Sequence, residues 1–355
     1  MEFIKFPHKV HTIFFMLGFA CNFNCKYCLQ HEFKSNKVCL SYNPQIIDFI
    51  KEQTVQNKHI DINFFGGEPL LYFNVIKDVV HKLKSVNNIS FSMLTNGSLL
   101  NDDTVTFINE NNISVGISWD GRNTKLSRGV DIFETNKENI FKLKRPFFVS
   151  SVFNAYNSPV QLLNDLDELN EEYKKIYDVN MSFNIDNLYY LDNINSDVFL
   201  LDFKKYEQDL EYLIDKFIND NENITYAEFN YINGFIESIK QYDENYSMVY
   251  SPCMNGIHVL NLDLQGNLYL CHDNSDKILG NIYSSIEEYT KQYRLYNNIL
   301  PNYCESECKE CSVRFCCSKG CMLLSKDELK IFYCVQKKSI LEPIINKLIE
   351  FSGML

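Results

Sequence analysis

No stretch of this 355-residue chain approaches the roughly twenty consecutive apolar residues that a membrane-spanning helix requires. Positive charge is also scarce. Lys and Arg number 34 against 46 Asp and Glu, a net charge of −12, and a surface without a basic face cannot neutralise a run of nucleic-acid phosphates. A basic peptide is still an admissible partner. Internal repeats are absent, and the sole compositional bias is a general richness in Asn. Cysteine is missing from the whole stretch between Cys39 and Cys253. The thirteen cysteines of the chain crowd instead into tight spacings near both ends, too close for a disulfide network and suited to metal. The short basic start followed by TIFFMLGFAC has the outline of a lipoprotein signal, but its apolar part runs to only about ten residues. Pro7 and His8 interrupt the basic segment, and Gly18 stands where such signals carry an aliphatic residue. The expectation is a soluble, cytoplasmic protein, one large domain and a smaller one, with neither membrane nor nucleic acid as partner.

Strand-like and helix-like segments alternate over the first two hundred residues. The strand candidates are Thr12 to Phe19, Asp61 to Phe65, Ile89 to Thr95, Ser114 to Ser118, Phe147 to Phe153 and Val179 to Asn184, each rich in β-branched or aromatic residues. Amphipathic helix candidates lie at Pro44 to Gln53, Asn74 to Lys84, Asp102 to Asn109, Lys137 to Leu143 and Val160 to Tyr173. Such alternation predicts a parallel sheet, and six βα units predict an α/β fold with a partial (β/α)6 TIM-like barrel. An incomplete barrel leaves a lateral gap wide enough for a large substrate.

Four short motifs fall at strand ends, where βα barrels build their active sites. After the first strand comes CNFNCKYC, with Cys21, Cys25 and Cys28 spaced C-x3-C-x2-C and Tyr27 before the last. Three thiolates hold three corners of a cubane 4Fe–4S cluster and leave one iron open. On spacing alone a zinc site is the other reading. After the second strand stand Gly66, Gly67, Glu68 and Pro69, where glycines permit close backbone approach to a ligand and Pro69 equally suits the opening of a helix. The third strand ends in Thr95, Asn96 and Gly97, and the fourth in Ser118, Trp119, Asp120 and Gly121. The set resembles the radical S-adenosylmethionine (SAM) superfamily. That resemblance implies a cluster on Cys21, Cys25 and Cys28 whose open iron chelates SAM, and cleavage of SAM to a 5′-deoxyadenosyl radical that abstracts hydrogen from substrate. It further implies SAM contacts from Tyr27, Gly66, Gly67, Glu68, Asn96, Ser118, Asp120 and Arg128, with Arg128 facing the SAM carboxylate and Asn154 the nucleoside.

The second cysteine field runs Cys253, twelve residues, Gly266, four residues, Cys271, then Cys308, Cys311, Cys317, Cys321 and Cys334. Between them VLNLDLQGNLYL predicts a β-hairpin turning at Gln265 and Gly266, which brings Cys253 and Cys271 together. A zinc ribbon is the competing interpretation of the C-x2-C knuckle. Interval by interval the field resembles the SPASM domain, which carries two auxiliary 4Fe–4S clusters. The resemblance implies a radical SAM barrel over 1–200, a helical bridge over 201–250, a small cysteine-rich SPASM domain over 251–340 and a C-terminal helix over 341–355. It implies three 4Fe–4S clusters in all, with Cys253, Cys271 and Cys321 on the first auxiliary cluster and Cys308, Cys311, Cys317 and Cys334 on the second. Seven ligands are one short of eight. Either Cys304 or Cys316 supplies the eighth, Cys304 being the better placed, or one auxiliary iron is open to a substrate thiolate. Cys39 is expected to be a reduced, buried or incidental thiol.

Enzymes of this resemblance modify ribosomally made peptides or proteins, by thioether or carbon–carbon cross-links or by oxidising a Ser or Cys to formylglycine in anaerobic sulfatase maturation. Sulfatase maturases carry a catalytic aspartate directly after the cysteine matching Cys271. Here that position is His272, with Asp273 next. Neighbours on an extended strand point to opposite faces, which argues against the sulfatase reading, yet either could be the general base. Only twenty residues precede Cys21, too few for a leader-gripping winged-helix domain, so a separate leader-binding protein is a possible partner beside the precursor peptide and a flavodoxin- or ferredoxin-type reductant. A small-molecule dehydrogenase is a third enzyme reading, and a non-catalytic iron–sulfur electron carrier or sensor is the alternative of another class. An electron carrier has no use for an open iron or a SAM pocket.

Overall fold

The computed structural model describes residues 2–190, 196–240, 253–298, 306–314, 317 and 320–353. Cys304 and Cys316 therefore lie outside the described residues. Six strands, β1 (Thr12–Met16), β2 (Ile60–Phe65), β3 (Ile89–Thr95), β4 (Ser114–Ser118), β5 (Phe148–Val152) and β6 (Phe183–Asp186), pair in sequence as a parallel sheet. The helices that return the chain between them include α1 (Gln45–Gln56), α2 (Phe73–Leu83), α3 (Asp102–Glu110), α4 (Thr124–Arg128), α5 (Ile132–Thr135), α6 (Lys137–Ile140) and α7 (Pro159–Tyr177). Alternation along the strands decides what faces them. Ile13, Phe15, Ile62 and Phe64 are fully buried beneath Ile46, Phe49, Ile76 and Val79 of α1 and α2, each such side chain contributing about 1.5–3 kcal/mol by leaving water. Their alternates Phe14, Asn63, Ser92 and Ser114 share one register row on the other face, so the concave side of the open barrel is largely polar.

The sheet does not stop at six strands. A seventh, β7 (Val259–Asp263), pairs in parallel with β1, and β8 (Asn267–Cys271) and β9 (Asn274–Asn281) continue antiparallel from it, giving the order β6-β5-β4-β3-β2-β1-β7-β8-β9. The expected hairpin at Gln265–Gly266 is present with Leu262 opposite Leu268, and Gly266 takes the positive φ of 91° that its turn needs. The hairpin of the second cysteine field is thus welded to the edge of the first half's sheet. Helices α8 (Phe203–Asn219) and α9 (Tyr226–Lys240) follow β6 as a helical pair, α10 (Ile286–Tyr296), α11 (Ser306–Lys309) and α12 (Lys326–Ile331) follow β9, and α13 (Tyr333–Gly353) packs back along α8.

Four elements differ from their expected bounds, each for a local reason. The first apolar run leaves the sheet at Met16, because Gly18 at φ 137° turns the chain into the cysteine loop. The helix expected at Lys137 to Leu143 ends at Ile140 and is preceded by a separate short one, Ile132–Thr135; Asn136 between them donates its amide to the carbonyls of Gly97 and Leu100, 2.8 and 2.9 Å away. The last barrel strand begins at Phe183 instead of Val179: α7 runs on to Tyr177, Asp178 caps it at φ 55°, and Asn170 Oδ1 accepts from the Met181 amide at 2.7 Å. Finally, the C-terminal helix starts at Tyr333, so Cys334 belongs to it.

Candidate active site at the mouth of the sheet

Past the end of β1 the cysteine loop is held by the glycines that follow β2. The Gly67 and Glu68 amides donate to the carbonyls of Gly18 and Ala20 at 2.9 and 2.8 Å. A Cβ on Gly66 would collide with the Gly18 carbonyl, and one on Gly67 with that of Ala20. The two glycines therefore serve this backbone zipper, whatever ligand they also face. The Glu68 carboxylate is fully buried and accepts from Thr95 Oγ1 (2.6 Å), Asn96 N (2.8 Å) and Leu70 N (3.0 Å). Burial raises its pKa against those hydrogen bonds. With its side chain committed to the ends of β2 and β3, only the backbone of this motif is free to meet a ligand. Pro69 opens the following 3-10 turn, Pro69–Tyr72, so the helix-start and loop readings of GGEP both describe it. Asn96 extends the bracing: its Nδ2 donates to Asn22 Oδ1 inside the cysteine loop at 2.9 Å, and its Oδ1 accepts from Ser98.

Asp120 is the second anchor. It is 1% exposed, and its carboxylate accepts from Tyr27 Oη at 2.6 Å, Ser127 Oγ at 2.6 Å, Arg128 Nε and Nη2 at 3.0 Å each, and Val152 N at 3.0 Å. Arg128 is buried, closes its fork on Asp120 and lies 5.4 Å from the Tyr27 ring centroid. Burial opposes its charge, but the adjacent Asp120 carboxylate more than compensates and holds the guanidinium ionised. Desolvation, Asp120 and neighbouring Cys25 keep the Tyr27 phenol protonated. Ser118 ends β4 opposite Ser150 on the same row. Asn154 is fully buried and bonded to Val152 O, Tyr156 N and Asn157, so it braces a loop.

The electrostatic coupling among ten of the described cysteines runs within three sets. Burial raises Cys21, Cys25 and Cys28, the last to about 11, and a Cys25 thiolate raises its two neighbours further. Cys271 is pushed well above its ordinary value by burial, then by Asp273, Cys321 and Cys253, and Cys321 rises to about 11 by burial and Cys253. Cys334 likewise reaches about 11 through burial followed by Cys317, Cys308 and Cys311. Thiols so disposed stay protonated unless a metal displaces the proton. Among the described residues no three His, Cys, Asp or Glu side chains converge on a single-ion site. Zinc draws its sulfurs in to about 2.3 Å from one centre, whereas a cubane gives each thiolate its own iron, and three thiols on one loop suit the donor set of a cubane. Cys39 is exposed, with Sγ 3.3 Å from Ser41 O, and takes no part; the expectation that it is buried does not hold.

The two sequence-predicted acid–base candidates meet the cysteine loop from the other side. His272 and Asp273 are the two loop residues of the β8–β9 hairpin, between paired Cys271 and Asn274, and not part of an extended strand. Their side chains consequently converge, His272 Nε2 lying 3.4 Å from an Asp273 oxygen. The His272 ring stacks on Phe14 at 4.0 Å and meets the edge of Phe65 at 4.4 Å. Buried Asn261 sets its other nitrogen: Nδ2 donates to the carbonyls of Tyr269 and Leu270 at 3.2 Å, turning Oδ1 towards His272 Nδ1 at 3.3 Å. Burial lowers the His272 pKa, opposed by Asp273 and by Asp186 at the end of β6. Gln30, two residues after Cys28, donates Nε2 to Asp273 Oδ1 at 3.1 Å. Sequence reasoning missed both Asn261 and Gln30. Asn261 carried one trace, a polar residue on the strand face that alternation reserves for the barrel interior, whereas nothing local marks Gln30.

A parallel half-barrel with a three-thiol loop at the mouth of its first strand defines a radical SAM domain, and residues 16–172 match the radical SAM superfamily. The chain is a radical SAM enzyme, related along nearly its whole length to the anaerobic sulfatase-maturating enzymes. It is 25% identical to the cysteine-type anaerobic sulfatase-maturating enzyme of Clostridium novyi (strain NT), over 92% of this chain and 93% of that one. The enzyme of the same description from Clostridium perfringens (strain ATCC 13124) is also 25% identical, over 94% and 96%. A shorter match, 28% identical over 34% of this chain and 29% of the other, is to the radical SAM cyclopropyl synthase TigE of Paramaledivibacter caminithermalis. The fold superposes on that of anSMEcpe with bound AdoMet and a Cp18Cys peptide at a TM-score of 0.67 and 21% identity, covering 97% of this chain and 99% of that one. Membership implies one 4Fe–4S cluster and SAM. No helix among the described residues is long and apolar enough to cross a membrane.

Proposed function

We propose that this enzyme is a maturase whose substrate is a ribosomally made peptide or protein carrying a cysteine. The observation that carries the reading is the approach of Asp273, on the cysteine-field hairpin, to the radical-cluster loop through Gln30, which puts a carboxylate between two thiol sets. Cys21, Cys25 and Cys28 would hold the radical cluster, Cys253, Cys271 and Cys321 the first auxiliary cluster, and Cys308, Cys311, Cys317 and Cys334 the second; Cys304, outside the described residues, is the candidate for the missing eighth position. When bound, the radical cluster and SAM supply a 5′-deoxyadenosyl radical that takes a hydrogen atom from the substrate. This chain's own work is to orient and to move a proton. Tyr27 and Arg128, fixed by Asp120, and the backbone of Gly66 to Glu68 shape the SAM pocket, while Phe14 and Phe65 hold the His272 ring. Asp273 accepts the proton that the substrate loses as its remaining electron departs.

Two products are compatible with that chemistry. A first auxiliary set of three thiols, one short of a full complement, favours a thiolate-binding iron and hence a thioether or carbon–carbon cross-link. Relationship to cysteine-type sulfatase maturases, and the convergence of His272 and Asp273 in one turn, favours formylglycine. A flavodoxin- or ferredoxin-type protein would supply electrons, and leader recognition would fall to the barrel, the helical pair or a separate leader-binding protein. The test is anaerobic incubation with SAM, reductant and a synthetic peptide holding one internal cysteine, followed by mass spectrometry. A cross-link removes two hydrogens, and formylglycine replaces the thiol by an aldehyde. Formation of 5′-deoxyadenosine with no change in any cysteine peptide, including those encoded beside the gene, would overturn the maturase reading.

A further inference from the structure

Gln30 is 4% exposed, sits on the stretch between the cysteine loop and a short 3-10 turn, His31–Phe33, and spends its amide nitrogen on a carboxylate 243 positions away. Burying a carboxamide costs free energy unless it is hydrogen-bonded, and the partner here is a charge-bearing oxygen, which makes the stronger kind of bond. Asp273 is thereby held on both sides: Oδ1 receives Gln30 Nε2 at 3.1 Å, and the other oxygen faces His272 Nε2 at 3.4 Å. The two anchors come from opposite halves of the molecule. His272 is fixed by Asn261 of β7 and by stacking on Phe14 of β1, whereas Gln30 moves with Cys28.

We infer that Gln30 is a positioning residue that sets the carboxylate of Asp273 against the radical-cluster loop, so that proton acceptance is registered to the point of hydrogen abstraction. This rests on the assignment of Asp273 as the proton acceptor. Without the Gln30 bond the carboxylate is tied to the SPASM-like hairpin alone and is free to rotate away. The radical step needs no base, but its completion does: where an auxiliary cluster is bound it would be the oxidant for the substrate's remaining electron, and the proton has to reach Asp273. A displaced base therefore separates SAM consumption from product.

The test compares Gln30→Leu, which fills the space without a donor, and Gln30→Glu, which puts a carboxylate against Asp273, with Asp273→Asn and the unaltered enzyme. Each is assayed for iron, for SAM cleavage without peptide, and for the ratio of modified peptide to 5′-deoxyadenosine with the single-cysteine peptide used above. Both Gln30 variants are expected to keep iron and peptide-free SAM cleavage within about twofold. The product ratio should fall about tenfold in Gln30→Leu and further in Gln30→Glu, with kcat for product reduced and KM little changed, the size being that of a lost hydrogen bond to a charged group. A packing role alone would leave Gln30→Leu coupled. If Asp273→Asn abolishes product while Gln30→Leu keeps the original ratio, the Gln30 inference alone fails; if Asp273→Asn itself retains the ratio, the base assignment fails and this inference with it. Loss of iron or of peptide-free cleavage in both Gln30 variants would make Gln30 a structural part of the cysteine loop and overturn its role towards Asp273.

Discussion

The two cysteine regions of this protein are built on different principles. At the mouth of β1 to β4 the protein satisfies itself: Glu68 has three donors and Asp120 five, and the glycine zipper fixes the loop backbone before any cofactor arrives. In the second field the thiols of Cys271, Cys321 and Cys334 are driven up by burial and then by neighbouring groups, cysteines among them, and they sit on separate segments, Cys271 at the end of β8, Cys321 in a loop before α12 (Lys326–Ile331) and Cys334 in the first turn of α13. On the proposed reading, the first site would receive a cluster into a preorganised pocket, whereas the second would depend on its clusters for form. The contrast predicts that metal would order the C-terminal scaffold while the half-barrel stays folded without it.

The largest effect should come from breaking each region's cysteines separately. Joint replacement of Cys21, Cys25 and Cys28 by Ala is expected to reduce SAM cleavage below detection while leaving thermal unfolding and the remaining iron close to the parent. Replacement of Cys308 and Cys311 should instead remove one cluster and lower the melting temperature of the C-terminal part, measured by calorimetry alongside iron content. Equal destabilisation by the two sets would erase the distinction. Next in size is Asp120→Asn. It leaves the buried Arg128 without its counter-charge, a change that costs about 3–5 kcal/mol when a buried pair is broken, and should appear in chemical denaturation even of the iron-free protein.

Gly67→Ala sharpens the comparison further. Its added methyl meets the Ala20 carbonyl, and overpacking of this kind costs about 1–3 kcal/mol; the same substitution at Gly129, where nothing lies within 4 Å of the added Cβ, would suffer only from that residue's φ of 87°. Smallest of all is Lys125→Ala. Its ion pair with Glu134 is exposed on both sides, so the stability change should stay within about 1 kcal/mol and fade with salt.

Much of this contrast was legible in the sequence, for identifiable reasons. Strands β2 to β5 and helices α1 to α3 announce themselves through periodicity and, at α3, through an Asn101–Thr104 capping box. Cysteine spacing likewise delivers the thiol sets, because metal ligation constrains intervals that folding alone does not. What periodicity could not reveal is pairing. The parallel addition of β7 to β1 joins residues about 250 positions apart, and no local pattern reports which sheet edge a hairpin will cover. The same blindness hid Gln30, whose partner is distant, and misjudged His272 and Asp273, since a two-residue turn and a continuing strand look alike in one dimension. The saturation of Glu68, Asp120 and Asn154 by protein partners is a property of three-dimensional context that their motifs do not report.

The central claim is that the chain holds one preorganised and two metal-dependent cluster sites, and the most direct test is iron and sulfide analysis with Mössbauer spectroscopy on protein reconstituted under strict anaerobiosis. The account predicts about twelve irons and as many sulfides per chain, in three cubane clusters. A stable, fully folded preparation with four irons and bound zinc would contradict it.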